Sequence, residues 1–267
     1  MEEDQFDIDY NPFKKDVRVL LGIDLDQYKP AQMKRRIRSF ILKYKCETLV
    51  EFVSRLRSTP NVLLDFKDFL TINVTEFFRN PERFLDLQVN ILPSLISEAR
   101  KQGRPLRIWS AGCSNGSEAY TMAIIMEDSF PGQDYSITAT DIDETVMKLA
   151  SEGDFREIDI KNLSQELLLK HFDKNPEEQR WKIKSRLKRN VKFLRNNLLE
   201  DPFTKGFDLI LCRNVVIYFT EEAKDVLYKK FFDALTVGGV LFIGGTETIL
   251  NSKQVGFTRH SNLFYYK

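Results

Sequence analysis

Residues 106–120 read LRIWSAGCSNGSEAY, and this stretch decides the fold class. A short apolar run leads into residues 110–116, where two glycines precede the next helical pattern. Glycine permits a sharp turn after a strand and lets the backbone approach a ligand closely before a helix begins. The loop therefore favours a nucleotide-like cofactor, although a glycine turn with a purely structural use would read the same way.

Downstream of this loop, short apolar runs alternate with helical patterns. The runs are LRIW, YSITAT, FDLILC and VLFIGG, and the helical patterns cover residues 117–129, 143–152 and 221–235. Strands that alternate with helices predict an α/β fold with a mostly parallel sheet. Residues 155–195 interrupt the pattern with a helix at 164–172 and the partly alternating RWKIKSRLKRNVKFL, which predicts a small antiparallel β insertion.

The chain before residue 84 has helical periodicity and no convincing strand. Five residues recur at helical spacing and should share one face: Met33, Ile37, Phe40, Ile41 and Tyr44. Asn80-Pro81 suits the start of a further helix that runs toward Ala99. We therefore predict a helical domain at 1–84, a linker helix at 85–104 and the α/β domain at 105–267.

The composition fits a globular protein with one large and one small domain. Hydrophobic residues make up 42% of the 267 positions, which is enough for a substantial core. A formal net charge of +1 argues against a polyanionic partner for the whole molecule. The first ten residues, MEEDQFDIDY, lack the features of a secretory signal, and no apolar run approaches the roughly 20 residues of a membrane span. We expect a cytoplasmic protein without membrane insertion.

Cysteines and histidines are few and scattered. The three cysteines, Cys46, Cys113 and Cys212, and the two histidines do not have the spacing of a disulfide framework or a zinc site. We therefore expect no metal, and we expect the cysteines to be small buried apolar residues.

A carboxylate stands one strand–helix unit after the glycine loop. The stretch TATDID places Asp141 at the end of the second predicted strand, where it would accept hydrogen bonds from ribose hydroxyls. Either Asp141 or Asp143 would equally serve as the N-cap of the next helix. The loose glycine spacing and the lack of a P-loop lysine favour a cofactor without phosphates over a dinucleotide.

Seven motifs follow one another along nearly the whole chain. They are QMKRRIRSF, TINVTEFFRN, IWSAGCSNGSEAY, TATDID, NNLL, FDLILCRNVVIYF and GGVLFIGGTE. In this order they resemble the CheR-type bacterial chemotaxis receptor methyltransferases. The resemblance implies a helical N-terminal domain and a Rossmann-like class I methyltransferase domain with a small β insertion. It also implies esterification of glutamate side chains on the cytoplasmic helices of chemotaxis receptors, which sets sensory adaptation, with S-adenosylmethionine (SAM) as donor and S-adenosylhomocysteine (SAH) as product.

The resemblance assigns roles to individual residues. The implied cofactor-binding residues, which include the loop glycine Gly112, are Asn73, Thr75, Arg79, Gly112, Glu118, Asp141, Asn197, Leu198, Arg213 and Asn214. Glu118 and Asp141 should lie on the amino-acid and ribose side of the cofactor, and Asn197 and Leu198 should flank the adenine. One departure concerns the start of the loop's helix, where family members usually read GEEPY and this chain reads GSEAY.

The methyl-transfer pocket is implied to contain three residues of one motif. Arg213 and Asn214 should line it, and Tyr218 should face the reacting centre. A glutamate carboxylate, with an unperturbed pKa of about 4.3, is already ionised at neutral pH, so the reaction needs no general base. We therefore assign the catalytic role of positioning to Arg79 and Tyr218. Whether the phenol of Tyr218 contacts the carboxylate or the methyl group stays open.

Two basic clusters are candidates for receptor binding. Between residues 29 and 45 lie seven basic residues and no acidic one, and the predicted contacts are Lys34, Arg35, Arg36 and Arg38. A second cluster lies at 180–195 in the insertion, which has no glycine between Gly153 and Gly206. Family members that grip a receptor tether carry glycines there, so we predict methylation that does not depend on a tether. We predict a monomer that binds no nucleic acid.

Two other functions compete with this interpretation. A nucleic-acid methyltransferase would use the basic clusters along a phosphate backbone, but residues 213–216 read RNVV in place of an Asn-Pro-Pro-Tyr-like stretch. A non-catalytic module that binds SAM as a sensor or scaffold would not need Arg79, Asn214 and Tyr218 together.

Overall fold

The computed structural model describes residues 5–71, 75–175 and 177–267. Its contacts divide the chain into two compact units, one made of Met1–Ile72 with Ile217–Asp225 and the other of Asn73–Val216 with Val226–Lys267. The first division falls at Ile72, whereas the sequence placed a boundary at residue 84. The predicted linker residues belong to the second unit because Leu87 and Leu92 are buried in its core cluster.

The first unit is built from helices around a phenylalanine core. Its helices are α1 Gln5–Leu21, α2 Pro30–Lys43, α3 Leu49–Ser58 and α4 Pro60–Thr71, with a 3-10 turn at Leu25–Gln27. Phe13, Phe52 and Phe66 are fully buried, and their ring centroids lie 5.0–6.3 Å apart. The predicted apolar face of α2 packs into this core, because Ile37 and Phe40 are buried and Tyr44 is half-buried.

The remaining helices and strands follow in chain order. The helices are α5 Pro81–Asp86, α6 Leu92–Lys101, α7 Ser117–Ser129, α8 Glu144–Glu152, α9 Gln165–His171, α10 Ser185–Lys188, α11 Glu221–Ala234 and α12 Ser252–Val255, with a π turn at Leu87–Ile91 and a 3-10 turn at Val216–Tyr218. The strands are β1 Leu106–Ala111, β2 Tyr135–Asp141, β3 Asp154–Arg156, β4 Phe172–Asn175, β5 Arg180–Ile183, β6 Val191–Arg195, β7 Phe207–Cys212, β8 Leu235–Ile243, β9 Thr258–Arg259 and β10 Phe264–Tyr266. No helix in the described ranges has the length and apolar character needed to cross a bilayer.

The second unit contains the α/β sheet that the alternation predicted. Its strand order is β6-β2-β1-β7-β8-β10-β9. The five strands from β6 to β8 are parallel, and β10 and β9 continue the sheet in antiparallel pairing. All six residues of β7 are buried, as expected for a central parallel strand that is covered on both faces. The carboxyl ends of β1, β2, β6, β7 and β8 consequently meet at one edge.

The insertion is smaller than the sequence suggested. A three-stranded antiparallel sheet of order β3-β5-β4 forms the predicted flap, but it ends at Ile183. Residues 191–195 were expected to belong to the flap, and they instead form β6, which pairs in parallel with β2 at the edge of the main sheet. Alternation identified the strand correctly, yet period-2 patterning does not determine which neighbour a strand will pair with.

Candidate functional site

The glycine loop after β1 closes against the neighbouring strand ends. The amides of Gly112 and Cys113 both donate to the carbonyl of Thr140, at 2.8 and 2.9 Å. Gly112 has a φ of +77°, and a Cβ there would come within 2.6 Å of a Val215 methyl carbon. Only glycine therefore fits this position, where the loop passes the turn that follows β7.

Asp141 ends β2 and directs its carboxylate at the loop. Its Oδ2 accepts the amide of Ser114 at 2.8 Å, and its Oδ1 accepts the amide of Asp143 at 3.1 Å. Burial raises the pKa of Asp141, while these backbone hydrogen bonds act against the increase. The N-cap of α8 is Asp143, whose carboxylate accepts from Thr145 and Val146. Of the two interpretations for Asp141, capping α8 is therefore excluded.

Glu118 lies in the first turn of α7, mostly buried and between two polar partners. Its Oε1 accepts a hydrogen bond from the Ser110 hydroxyl at 2.8 Å, and its Oε2 lies 3.4 Å from Nη1 of Arg213. Burial raises the pKa of Glu118, and the charges of Arg213 and Arg79 oppose that shift. The departure from the family's usual GEEPY leaves this helix intact, since α7 begins directly after Gly116.

Arg213 follows β7, and its guanidinium is held by aromatic rings and by the chain around residue 79. Its guanidinium carbon, Cζ, lies 4.8 Å from the ring centroid of Phe84 and 4.7 Å from that of Phe242. Its Nη2 donates to the carbonyl of Arg79 at 2.7 Å. Burial lowers the pKa of Arg213, and the carboxylate of Glu118 opposes this.

The structure describes two of the three predicted cofactor contacts near the start of the second unit, Thr75 and Arg79. Arg79 is half-buried, and its charge lowers the pKa of both Glu118 and Arg213, so its side chain is near this pair. Thr75 is half-buried. Asn73 lies outside the described residues.

Asn197 and Leu198 are buried just beyond the end of β6, whose residue Arg195 pairs with Asp141. The Asn197 side-chain oxygen accepts the backbone amide of Leu199 at 3.1 Å, and the backbone amide of Asn197 donates to the carboxylate of Asp201 at 2.7 Å. The asparagine therefore also has the turn-forming role that its residue type favours. Both residues reach the edge of the sheet at which Asp141 lies.

Tyr218 belongs to the first unit. Its carbonyl accepts the amide of Lys29 at 2.9 Å, which ties the 3-10 turn at Val216–Tyr218 to the residue before α2. Within the same unit, burial lowers the pKa of Arg36, and the electrostatic influence of Tyr218 opposes it. The sequence reasoning missed this proximity between Arg36 and Tyr218, because periodicity does not relate α2 to a turn that is distant along the chain.

The basic face of α2 is more heavily paired than its composition indicated. Lys34 pairs with Asp7 at 2.8 Å, and Arg38 lies 3.9 Å from the same carboxylate. Arg36 turns onto Phe69, where it donates to the carbonyl and covers the ring. Arg35 is exposed and has no ion-pair partner among the described residues.

The second basic cluster is also partly used within the fold. Lys184 donates to the carbonyls of Leu169 and Lys170 at the end of α9, and Arg186 pairs with Glu127. Three exposed members have no ion pair in the described part of the chain: Lys182, Arg189 and Lys192.

The family models match both units. The model for the all-alpha domain of CheR methyltransferases matches residues 8–71, and the model for their SAM-binding domain matches residues 73–263. This chain belongs to the CheR methyltransferase family. The chain is 42% identical to a chemotaxis protein methyltransferase of Listeria monocytogenes, over 97% of each chain. It is 34% identical to one of Borreliella burgdorferi, over 96% of this chain and 95% of that one.

SAM is accordingly the cofactor of this CheR protein, and the edge of the sheet fits it. Three buried polar atoms in the loops after β1 and β7 have no hydrogen-bond partner among the described residues: Oγ of Ser114, Nε of Arg213 and Oδ1 of Asn214. Buried polar atoms without partners are costly, so a group of them indicates a place where a ligand supplies the partners. The carboxylates of Glu118 and Asp141 add acceptors for an ammonium group and for hydroxyls.

Proposed function

We propose that this chain transfers the methyl group of SAM to glutamate side chains of chemotaxis receptors and forms methyl esters. The main structural support is the group of two mostly buried carboxylates, Glu118 and Asp141, at the carboxyl edge of the sheet beside the unpaired polar atoms of the loops. Family membership supports the assignment to a protein acceptor over a nucleic acid.

The residues of the second unit suit the two polar ends of the donor. We assign the donor's ammonium group to Glu118, because this carboxylate has only a 3.4 Å contact with Arg213 and a hydroxyl as partners. We assign the ribose hydroxyls to Asp141, whose two oxygens have acceptor capacity beyond the backbone amides of Ser114 and Asp143 that they accept. Asn197 and Leu198 would flank the adenine from the end of β6. Thr75 and Asn73 are further proposed contacts.

When bound, SAM supplies an electrophilic methyl group, and the sulfur keeps the bonding electron pair when an acceptor oxygen takes that group. The protein's part is to exclude water and to align the acceptor. No described side chain need remove a proton, because the acceptor carboxylate is ionised at neutral pH. We assign alignment to Arg79, whose guanidinium can hold a carboxylate in a planar fork, and to Tyr218, whose hydroxyl can donate to it.

The experiment is incubation of the protein with radiolabelled SAM and cytoplasmic receptor fragments, followed by treatment with base. We expect label on the fragments that base releases as methanol, because carboxyl esters hydrolyse under these conditions. Arg79→Ala and Tyr218→Phe should reduce kcat by a larger factor than they raise the KM for SAM, since both remove alignment of the acceptor and only Arg79 is also an implied donor contact. Label that resists base, or label that appears in added nucleic acid, would contradict the proposal.

We further propose that α2 supplies the receptor contact through Arg35, supported by Lys34 and Arg38, while Arg36 serves mainly the packing of the first unit. Arg35→Glu should raise the KM for the receptor fragment by about fivefold, an effect of the size expected for an exposed ion pair, and added salt should weaken the difference. Lys148→Glu on α8, also exposed, is the matched control and should leave this KM unchanged. Equal effects of the two substitutions would exclude a specific role for α2.

The insertion is a second proposed contact, through Lys182, Arg189 and Lys192. Its hairpin turns without glycine, since Gln179 has a φ of +50° and the Asn175 side chain accepts the amide of Glu177 at 3.1 Å. We therefore keep the prediction that methylation does not require a receptor tether. Receptors without their C-terminal tether should be labelled at the same rate as complete ones, and loss of labelling would refute it. We also propose that the enzyme acts as a monomer.

A further inference from the structure

The turn after β7 has an unusual backbone conformation next to the proposed methyl-transfer pocket. Asn214 adopts a φ of +60°, in the left-handed region that glycine favours and that asparagine enters more readily than other residues. Such positions cluster at functional sites, where surrounding contacts fix them. The groups that enforce it at Asn214 are therefore of functional interest.

The enforcing contact comes from Glu247, in the loop after β8. This side chain is 5% exposed, and its Oε2 accepts the amide of Gly244. The backbone amides of Asn214 and Val215 also lie close enough to the Glu247 carboxylate to lower its pKa. Successive backbone amides that face one anion stabilise its charge, and here the anion is the protein's own side chain.

Gly244 shows how closely the two strand ends approach. A Cβ at this position would lie 2.6 Å from Oε2 of Glu247 and 2.9 Å from the backbone nitrogen of Asn214. No larger residue fits without moving one of them. The close approach thus depends on the glycine, and it brings the Glu247 carboxylate and the Asn214 amide against the same residue.

We propose that Glu247 is a positioning residue for methyl transfer, because its carboxylate holds the turn at Asn214 and Val215 in the conformation that presents Asn214 to the pocket. The inference rests on the proposed function, in which Arg213 and Asn214 line that pocket. It is supported by Oδ1 of Asn214, which is buried and has no partner in the described part of the chain. This buried, unpartnered oxygen can accept a hydrogen bond from a ligand when the backbone of Asn214 is fixed in place.

Opposing influences act on the pKa of the buried Glu247 carboxylate. Burial raises its pKa, whereas the amides of Gly244, Asn214 and Val215 and the charge of Arg213 lower it. Its second oxygen, Oε1, has no partner among the described residues. A glutamine at this position would keep one acceptor for the amides and would remove the charge.

The first test measures whether Glu247 stabilises the turn at residues 213–216, and it needs no methyl acceptor. Hydrogen–deuterium exchange should be faster in the peptide that covers residues 213–216 in Glu247→Ala than in the native protein, and Glu247→Gln should lie close to native. Asp208→Asn is the matched control, because it removes a buried carboxylate at the opposite end of β7. Unchanged exchange at 213–216 in Glu247→Ala would overturn the inference.

The second test measures the consequence for catalysis. With receptor fragments, Glu247→Ala should lower kcat by about 100-fold, the size of effect that a misplacement of about 1 Å can cause, and should leave the KM for SAM nearly constant. The double variant Glu247→Ala with Asn214→Ala should be no slower than Asn214→Ala alone, because Glu247 acts through Asn214. Additive losses would overturn the positioning role. A native protein that does not label receptors would refute the proposed function, and the exchange measurement would still decide the inference.

Discussion

The two ends of β7 each carry a buried ion pair, and the pairs differ in how fully they are satisfied. At the start of the strand, Arg104 contacts both oxygens of Asp208 at 2.6 and 2.7 Å, and Asp208 also accepts the amide of Arg107 at 2.9 Å. At its end, one nitrogen of Arg213 reaches Glu118 at 3.4 Å, and Nε of Arg213 is buried without a partner among the described residues.

The difference separates a contact that serves the fold from one that serves a ligand. A bidentate pair with an added amide hydrogen bond satisfies both partners and stabilises a single geometry. A loosely matched pair leaves buried polar atoms whose lost hydration is uncompensated until another molecule contacts them. Stability should therefore depend mainly on the Asp208 pair, and cofactor binding should depend mainly on the Glu118 pair.

The largest effect should follow from removing the charge at the loosely matched end. Glu118→Gln should weaken SAH binding by about 10- to 100-fold, because a hydrogen bond to a charged group contributes about 1.5–3 kcal/mol. Isothermal titration calorimetry measures this directly. The amide keeps the size of the side chain and its contact with Ser110, so the unfolding temperature should change little. Native-like affinity would show that Glu118 does not bind the cofactor.

The opposite end of β7 should respond in the opposite way. Asp208→Asn should lower the unfolding temperature by about 4–8 °C, if the weakened pair costs about 2 kcal/mol in a domain of this size. The affinity for SAH should stay within about twofold of native, since the substitution is remote from the loops. Thermal unfolding and calorimetry on the same sample test both statements. A large loss of affinity without loss of stability would remove the distinction between the two ends.

A smaller effect should appear on acidification. Burial raises the pKa of Glu118 above its usual value, so this carboxyl takes up a proton at a higher pH than an exposed glutamate, whose pKa is about 4.3. An ammonium group binds only the ionised form, so SAH affinity should be complete above the raised pKa and should fall as the pH decreases through it. Calorimetry at successively lower pH values measures this decrease, and Glu118→Gln should make the curve flatter. A pH-independent native affinity would contradict the assignment.

Much of the fold follows from patterns in the sequence. The helix predicted at 117–129 has those bounds, and the four apolar runs are strands of the main sheet. The prediction that residues 191–195 belong to the flap was wrong. The alternation in VKFLR identifies a strand, but it does not specify the strand with which it pairs. The inward turn of Arg36 onto Phe69 was also missed, since a long basic side chain can cover apolar surface from a position on the polar face of a helix.

The placement of two site residues followed from the sequence, while their roles stay predictions. Asp141 was singled out because it ends a predicted strand, and Glu118 because the family resemblance implied it; the structure places both at the carboxyl edge of the sheet. Glu247 was missed, although GGTE was among the motifs, because its role depends on how closely two strand ends approach. That distance is set by Gly244 and appears only in three dimensions.

A crystal structure of the protein with SAH is the most direct test of the central claim, that the loops after β1 and β7 hold the cofactor. We predict ligand density at the carboxyl edge of the sheet, with Asp141 hydrogen-bonded to the ribose hydroxyls and Glu118 to the amino group. We also predict that at least one of the unpaired atoms of Ser114, Arg213 and Asn214 gains a partner from the ligand or its ordered water. Density for SAH elsewhere, with Glu118 and Asp141 making no contact to it, would contradict the account.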